Sequence, residues 1–485
     1  MEQFNTVVAL IGVVIIVASL LSNALDRTGI PLSAVFLALG AILGPYGLGL
    51  LDIGIDSPAL RVLATLGLAL VLFSDAVTTE LIDIRTNWRL LIRLLGPGTL
   101  VPAAVTAVAG WLLLGLSPAA AALIGAALAS TDAILLRRVL VSPAVPSTVR
   151  LALRLESGMN DIVLLPIVIL AMTVLATEGL PTGARMAKSA LSLLLLGPAI
   201  GAAVGWFGVT ALTSVRSRGV VRRDYEALYA LALAFIAYAA AESAGGSGFV
   251  AAFAAGLTVG AQDVELCDCF LEYGEATSLM LLLLTFVAFG TSLIWTGFGV
   301  IDMRTLAFAA IALTVRTFVL FALLPRKVPA ADRRLIALLG PRGISSLLLS
   351  LLPVFEGMPG AERLFTITCL VVLLSILLHG TGMAILLRNR ALPEVVADAP
   401  GAERVPGPGV SDALAPVPER ISIEEFRRIE AEGESVVLAD VRTERSYRAD
   451  PRRATGALRL NPDDPVRAAT ALRLPRDATL VLFCA

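Results

Sequence analysis

A chain of 485 residues that is 57% hydrophobic and only 16% charged is too apolar to be dissolved in water along its whole length. With 38 basic and 39 acidic side chains the formal net charge is −1, which points to no nucleic-acid partner and leaves the information in where the charges stand. Cys267, Cys269, Cys369 and Cys484 show neither a paired zinc spacing nor a disulfide framework, and they read as reduced thiols.

Apolar blocks of about 20 residues, the length that crosses a hydrocarbon core as a helix, recur up to Arg390 and then stop. Hydropathy predicts about thirteen spans. The first is centred near Val14; Met1, Glu2 and Gln3 offer no basic n-region, so it reads as a retained span. The others are centred near Ala38, Leu68, Val105, Ala127, Ile167, Ala203, Ala234, Phe253, Leu284, Ala312, Leu348 and Val372. Arginines collect in alternate loops: Arg85, Arg89, Arg93, Arg150, Arg222, Arg223, Arg333 and Arg334 fall on one side, whereas Arg61, Arg185, Lys188, Arg304 and Arg363 fall on the other. By the positive-inside rule the N-terminus is outside and the C-terminus cytoplasmic, in a multi-pass protein of the inner (plasma) membrane.

An odd number of spans suggests six, a connector near Ala203, and six more of opposite orientation. In such inverted repeats the transport site lies near the midplane, where discontinuous helices from the two halves meet. The fifth span, Pro118 to Leu140, and the twelfth, Arg333 to Phe355, occupy corresponding positions. Each is interrupted mid-span, by Ser130-Thr131-Asp132 in one and by Gly340-Pro341-Arg342-Gly343 in the other.

Beyond Arg390 the composition turns to Pro, Ala, Gly and Glu, a linker over 391–418, and then becomes that of a soluble domain over 419–485. There Ile421 to Glu432 reads as an amphipathic helix, and Ser435 to Val441 and Thr479 to Cys484 as strands.

Ionisable residues within spans are costly in lipid, so each is a candidate for function. Asp75, Asp132, Glu156, Asp161, Glu242, Arg316 and Arg342 lie in or at the edge of spans. Helical spacing puts Ser157 with Asp161 on one face and Glu156 with Asn160 on another. Asp161 and Ser157 offer hard oxygen ligands to a small monovalent cation, with Asn160 a neutral hydrogen-bonding neighbour. A break near Thr131 frees backbone carbonyls to complete the shell, which a cavity tolerates although lipid does not. A carboxylate so placed exchanges a cation for a proton. The bland alternative is that the acids only pair with Arg316 and Arg342; for Glu156 that is the expected role, with Arg342 as partner. Asp75 is either an access carboxylate or a solvated helix end. His379, the single histidine, reads as a packing residue.

Taken together, Thr131-Asp132, Glu156-Ser157-x-x-Asn160-Asp161 and Gly340-x-Arg342-Gly343 resemble the NhaP-type sodium/proton antiporters of the monovalent cation:proton antiporter superfamily, over residues 1 to 390. Gly246 to Phe249 and Ala254-Ala255-Gly256 add to the likeness; Pro341 departs from it, since the family more often has Leu there. The resemblance implies an all-α polytopic membrane protein with inverted repeats and discontinuous helices. It implies secondary active exchange of Na+ or K+ for H+ by alternating access, electroneutral, without a cofactor, and not an enzyme activity. It assigns Asp161 to cation and proton, with Asp132 sharing in the exchange. Ser157, the Thr131 carbonyl, Asp132, Asp75 and Asn160 are placed at or near the ion, and Glu156 is paired with Arg342. A homodimer is implied too, its ion-carrying core built of spans four to six and eleven to thirteen.

The tail resembles another family. Val437 to Arg442, Gly456 to Leu460 and Leu480 to Cys484 look like the first half of an α/β rhodanese domain, with Cys484 at the position of the nucleophile and the anion-cradling loop missing, so that the thiol is expected to be vestigial. Two further readings are a cation channel using the same acids and a membrane-anchored sulfurtransferase.

Overall fold

The structure is a computed structural model. It describes residues 32–176 and 191–390 with short interruptions (52, 56, 80, 143–144, 217, 219–222 and 263), positions 12, 16 and 20, and in the C-terminal region 426–429, 436–442, 447, 453–460, 469, 472, 474 and 479–483. The chain divides into two units, Met1–Arg390 and Ala391–Ala485.

The first unit is helical. Its helices are α1 (Leu32–Leu43), α2 (Pro58–Thr78), α3 (Leu81–Thr86), α4 (Trp88–Leu95), α5 (Pro97–Leu114), α6 (Pro118–Ala129), α7 (Ala133–Val141) and α8 (Ser147–Leu175). After a π-helical turn at Ser192–Leu196 come α9 (Gly197–Arg216), α10 (Arg223–Ser243), α11 (Gly248–Gln262) and α12 (Val264–Thr291). A 3-10 segment at Leu293–Val300 leads to α13 (Met303–Leu323), α14 (Ala330–Leu338), α15 (Ile344–Phe355) and α16 (Ala361–Arg390). Twelve of the thirteen predicted span centres fall on these helices; Val14 lies outside the described residues. Among the described residues seven helices are long and apolar enough to cross a membrane, or eight if the pair bent by 47° near Ser292 is one span. Four shorter apolar helices, halves of broken spans or too short to cross alone, bring the described total to twelve, and the predicted span at Val14 lies outside the described residues.

Lipid tails give helices no hydrophobic reason to associate, so close backbone approach has to hold them. Gly197, Gly201 and Gly205, one turn apart on α9, lie against Ser247, Ala251 and Ala255 around and along α11, where any Cβ would press on backbone. Gly40 of α1 and Gly44 just past its end meet Gly290 and Thr291 of α12 in the same manner, and Gly125 of α6 has Ala103 and Ala107 of α5 as neighbours. These contacts hold the helices around α6 and α15, whose two breaks lie in the interior: Ser130, Thr131, Asp132 and Arg342 are all buried.

Each break has a local cause. Ser130 is extended at the end of α6, and Asp132 caps α7. In the second repeat Pro341 has no N–H to give and disfavours helix at the residue before it, so α14 stops at Leu338 and the chain stays non-helical through Gly343. The two non-helical stretches lie side by side, with Asp132 N–H donating to Pro341 C=O at 3.0 Å.

In the second unit a parallel sheet has the order β2–β1–β3, with β1 Val436–Asp440, β2 Leu458–Arg459 and β3 Thr479–Phe483. Both predicted strands are present. Asp440, at the end of β1, is held by the Arg442 guanidinium at 2.7 and 3.0 Å, and this holds its carboxyl below the usual carboxylate range. Cys484 lies outside the described residues, as do the side chains of Cys267 and Cys269 and most of the helix predicted at Ile421 to Glu432.

Candidate functional site

Four half-helix ends converge at the crossing. A helix carries partial positive charge at its N-terminus and partial negative charge at its C-terminus, from the backbone groups left without intrahelical partners. The N-termini of α7 and α15 are met by one carboxylate. Asp132 Oδ1 accepts from Ile134 N–H (2.8 Å) and Leu135 N–H (3.4 Å), and its Oδ2 accepts from Ile344 N–H (2.7 Å). Gly343 is required here, because a Cβ on it would overlap Asp132 Oδ2. The C-termini are met by two guanidinium groups. Arg342 donates to the carbonyls of Ala129 (2.6 Å) and Ser130 (3.0 Å) at the end of α6. Arg316, from α13, donates to those of Ala337 (3.0 Å) and Ile336 (3.2 Å) at the end of α14.

This arrangement corrects one expectation. Glu156 is paired with Arg316, not with Arg342: Arg316 Nε and Nη2 fork onto its two carboxylate oxygens at 2.6 and 2.7 Å, with both side chains buried. The reason is positional. Arg342 lies within the second break and turns to the open carbonyls of the first, whereas Arg316 stands on a continuous helix and presents a planar fork to the carboxylate on α8. Two arginines within the spans, Arg316 and Arg342, left the choice of partner for Glu156 open to sequence reasoning; Arg316 was among the candidates for pairing, but its carbonyl contacts had no signal.

Asp161 differs from the other acids in the kind of partner it has. Its carboxylate is 4% exposed, and Oδ1 accepts from the Ser130 hydroxyl at 2.6 Å. Ser345, in the first turn of α15, also acts on it through its side chain. Ser130 and Ser345 are site residues that sequence reasoning missed; their signal was position, since each adjoins a break. Asn160 Nδ2 donates to Thr131 Oγ1 (2.7 Å) and to the Thr131 carbonyl (3.4 Å). Its Oδ1 is buried without a hydrogen-bond partner among the described residues.

Thr131, Asp132, Asn160 and Asp161 are thus brought together. Ser157, one turn earlier on α8, donates to the Leu153 carbonyl at 2.8 Å. Asp75 is on α2, opposite Gly158: a Cβ on that glycine would stand 4.0 Å from Asp75 Cβ. Asp75 therefore faces α8 at Gly158, the residue after Ser157. His379 binds Ser375 through Nδ1 (3.1 Å), and the Ser375 hydroxyl accepts from Arg342 N–H (2.7 Å), so the histidine supports the second break.

Chemically the centre offers one carboxylate held by rotatable hydroxyls, an uncommitted amide oxygen and the carbonyls of a broken helix. Asp132 and Glu156 are already matched by fixed donors. Such a set of hard oxygens with a single negative charge can hold a monovalent cation or a proton.

Residues 12–389 match the family model described as sodium/hydrogen exchanger, transmembrane. The chain is 26% identical over 385 residues to the K(+)/H(+) antiporter NhaP of Alkalimonas amylolytica, covering 78% of this chain and 66% of that protein. It is 27% identical over 383 residues to the K(+)/H(+) antiporter NhaP2 of Shewanella oneidensis, covering 77% and 65%. The match therefore spans just under two thirds of the length of these relatives. The structure of the sodium proton antiporter MjNhaP1 from Methanocaldococcus jannaschii superposes with a TM-score of 0.62 at 20% identity, covering 79% of this chain and 99% of that one. A family model matched from the first apolar block to the end of α16, and a shared fold with the same helical core, together place this chain in the sodium/hydrogen exchanger family.

Proposed function

We propose that the chain exchanges a monovalent cation, Na+ or K+, for a proton by alternating access, with Asp161 carrying one or the other. The observation that supports this most directly is the contrast among the buried acids. Asp132 is engaged by three backbone amides and Glu156 by a guanidinium fork, whereas Asp161 is held by a hydroxyl that can rotate away. The Thr131 carbonyl, Asn160 Oδ1 and, after a small rotation, Ser157 and Ser130 supply neutral oxygens around the cation. Asp75 lines the approach, and Asp132 acts first as the joint of the two half-helices. Names of relatives support cation/proton exchange but differ on the cation, potassium in some and sodium in another.

The test is exchange in proteoliposomes under an imposed pH gradient with Na+, K+ and Li+ in turn. Asp161→Asn, which keeps the shape but cannot titrate, should abolish exchange with every cation while melting like the wild type. Near-normal exchange by the folded variant would refute the assignment. Cation flux without proton counter-flux would favour a channel instead.

In the same reading the protein is a homodimer in the plasma membrane, N-terminus outside and C-terminus cytoplasmic. The second unit is a rhodanese-like appendage outside the exchange cycle. Its parallel strands, in the order β2–β1–β3, are what support that part.

A further inference from the structure

Helices α4 and α5 run on as one apolar helix of 27 residues, Trp88–Leu114, and α8 has 29. At 1.5 Å per residue these are about 40 and about 44 Å long, against a hydrocarbon core of about 30 Å. Unless strongly tilted, each projects from the core. The charged ends are the ones that leave it: α4 carries Arg89 and Arg93, and the start of α8 carries Arg150 and Arg154. Leu91 and Leu95 of α4 pack with Leu151, Leu155 and Met159 of α8, so the two ends emerge together on one side.

What they present is a mixed surface. Trp88 and Ile92 are 51% and 57% exposed, although both are large and apolar. Beside them Arg85, Arg89, Arg93 and Arg154 are exposed, with no acidic partner among the described residues, and the Arg89 guanidinium lies 5.3 Å from the Trp88 ring centre. The segment Trp88–Leu95 contains no acid; Glu80 and Asp83 stand upstream in the sequence. Surface cations beside a half-exposed tryptophan and isoleucine match a layer that is anionic above and apolar below.

We propose that α4 and the start of α8 form a binding surface for anionic phospholipid headgroups. The guanidinium groups take phosphate oxygens, and Trp88 and Ile92 sit between the tops of the acyl chains. The surface reaches the exchange site through one helix, because Met159 in its apolar floor precedes Asn160 and Asp161 on α8. The binding itself does not depend on the proposed transport activity.

The test uses the full chain in liposomes containing brominated phosphatidylglycerol or brominated phosphatidylcholine, with fluorescence read as the difference between wild type and Trp88→Phe. Phosphatidylglycerol should quench the Trp88 component at far lower mole fraction than phosphatidylcholine, and less so at high salt. Replacing Arg85, Arg89 and Arg93 by Gln should weaken that preference by about fivefold per charge, about a hundredfold for the three. Equal quenching by the two lipids would overturn the proposal, as would full competition by inorganic phosphate or a preference kept by a folded triple variant. If the triple variant does not fold, thermal stabilisation of the wild type decides: stabilisation by phosphatidylglycerol over phosphatidylcholine supports the site, and equal melting in both overturns it.

Discussion

Replacing Arg316 by Met tests the electrostatic design of the crossing. Arg316 makes two hydrogen bonds to Glu156, at 2.6 and 2.7 Å, and two to the carbonyls ending α14, at 3.0 and 3.2 Å. Removing it strands a carboxylate that is 3% exposed, and breaking a buried pair in that way costs about 3–5 kcal/mol. The freed carbonyls add about 1 kcal/mol or more each. Removing both charges, as in Glu156→Leu with Arg316→Met, leaves no buried ion and should lie within about 2 kcal/mol of the wild type. Glu156→Leu strands the buried Arg316 in the same way, so the double-mutant cycle between positions 156 and 316 should show a coupling of about 4 kcal/mol or more, whereas the cycle between 156 and 342 should stay below about 1 kcal/mol, since Arg342 turns its guanidinium to Ala129 and Ser130. Reversible unfolding in mixed micelles, followed by tryptophan fluorescence, reads these differences. A 156–342 coupling as large as that of 156–316 would refute the pairing and restore the one expected from sequence.

Span positions were legible because lipid enforces them: a backbone that cannot hydrogen-bond to its solvent must be helical over a fixed length, and that length shows as hydropathy. The two breaks were legible for a related reason. Gly340-Pro341 cannot continue a helix, and Ser130-Thr131-Asp132 is the only polar triplet within its span. Asp161 and Asn160 stood out as polar residues with no business in a lipid-facing helix. What stayed hidden were partners set by three-dimensional placement. The choice of Arg316 over Arg342 depends on which guanidinium reaches the open carbonyls of the other repeat, and a sequence carries no such distance. Ser130 and Ser345 were hidden because serine in a membrane helix usually bonds to its own backbone, as Ser157 does here to Leu153. Asp132 was expected beside the ion, and it is beside Asp161 in the crossing. Its engagement by amides of both half-helices could be seen only once the breaks lay side by side.

Three further predictions test other contacts, in the crossing and in the second unit. Gly343→Ala should drive a Cβ into Asp132 Oδ2, pushing the breaks apart at a cost of about 1–3 kcal/mol and lowering exchange, whereas Gly299→Ala, with open space around it, should do neither; equal melting temperatures for the two variants would show the clash is not there. In the second unit, the Asp440 carboxyl is held below its unfolded value by Arg442, so its contribution is complete above about pH 4 and is lost as pH falls through the lower folded value. Asp440→Asn should remove that acid-dependent loss of amide protection in β1, and an unchanged pH profile by hydrogen exchange would sink the linkage. The last prediction is electroneutrality. Asn160 stands next to Asp161 where a second aspartate would bring a second titrating group, and the remaining acids of the crossing are engaged, Asp132 by three amides and Glu156 by Arg316. If one proton leaves Asp161 for each monovalent cation that binds, the loaded and protonated sites carry equal charge, and a membrane potential finds no net charge to move during a cycle. Exchange in tight proteoliposomes should then proceed without a potassium-valinomycin shunt and at a rate independent of imposed voltage. A sustained cation-driven current would mean that a second acid exchanges protons as well, and Asp75, which faces α8 at Gly158, is the first to replace by Asn in order to find it.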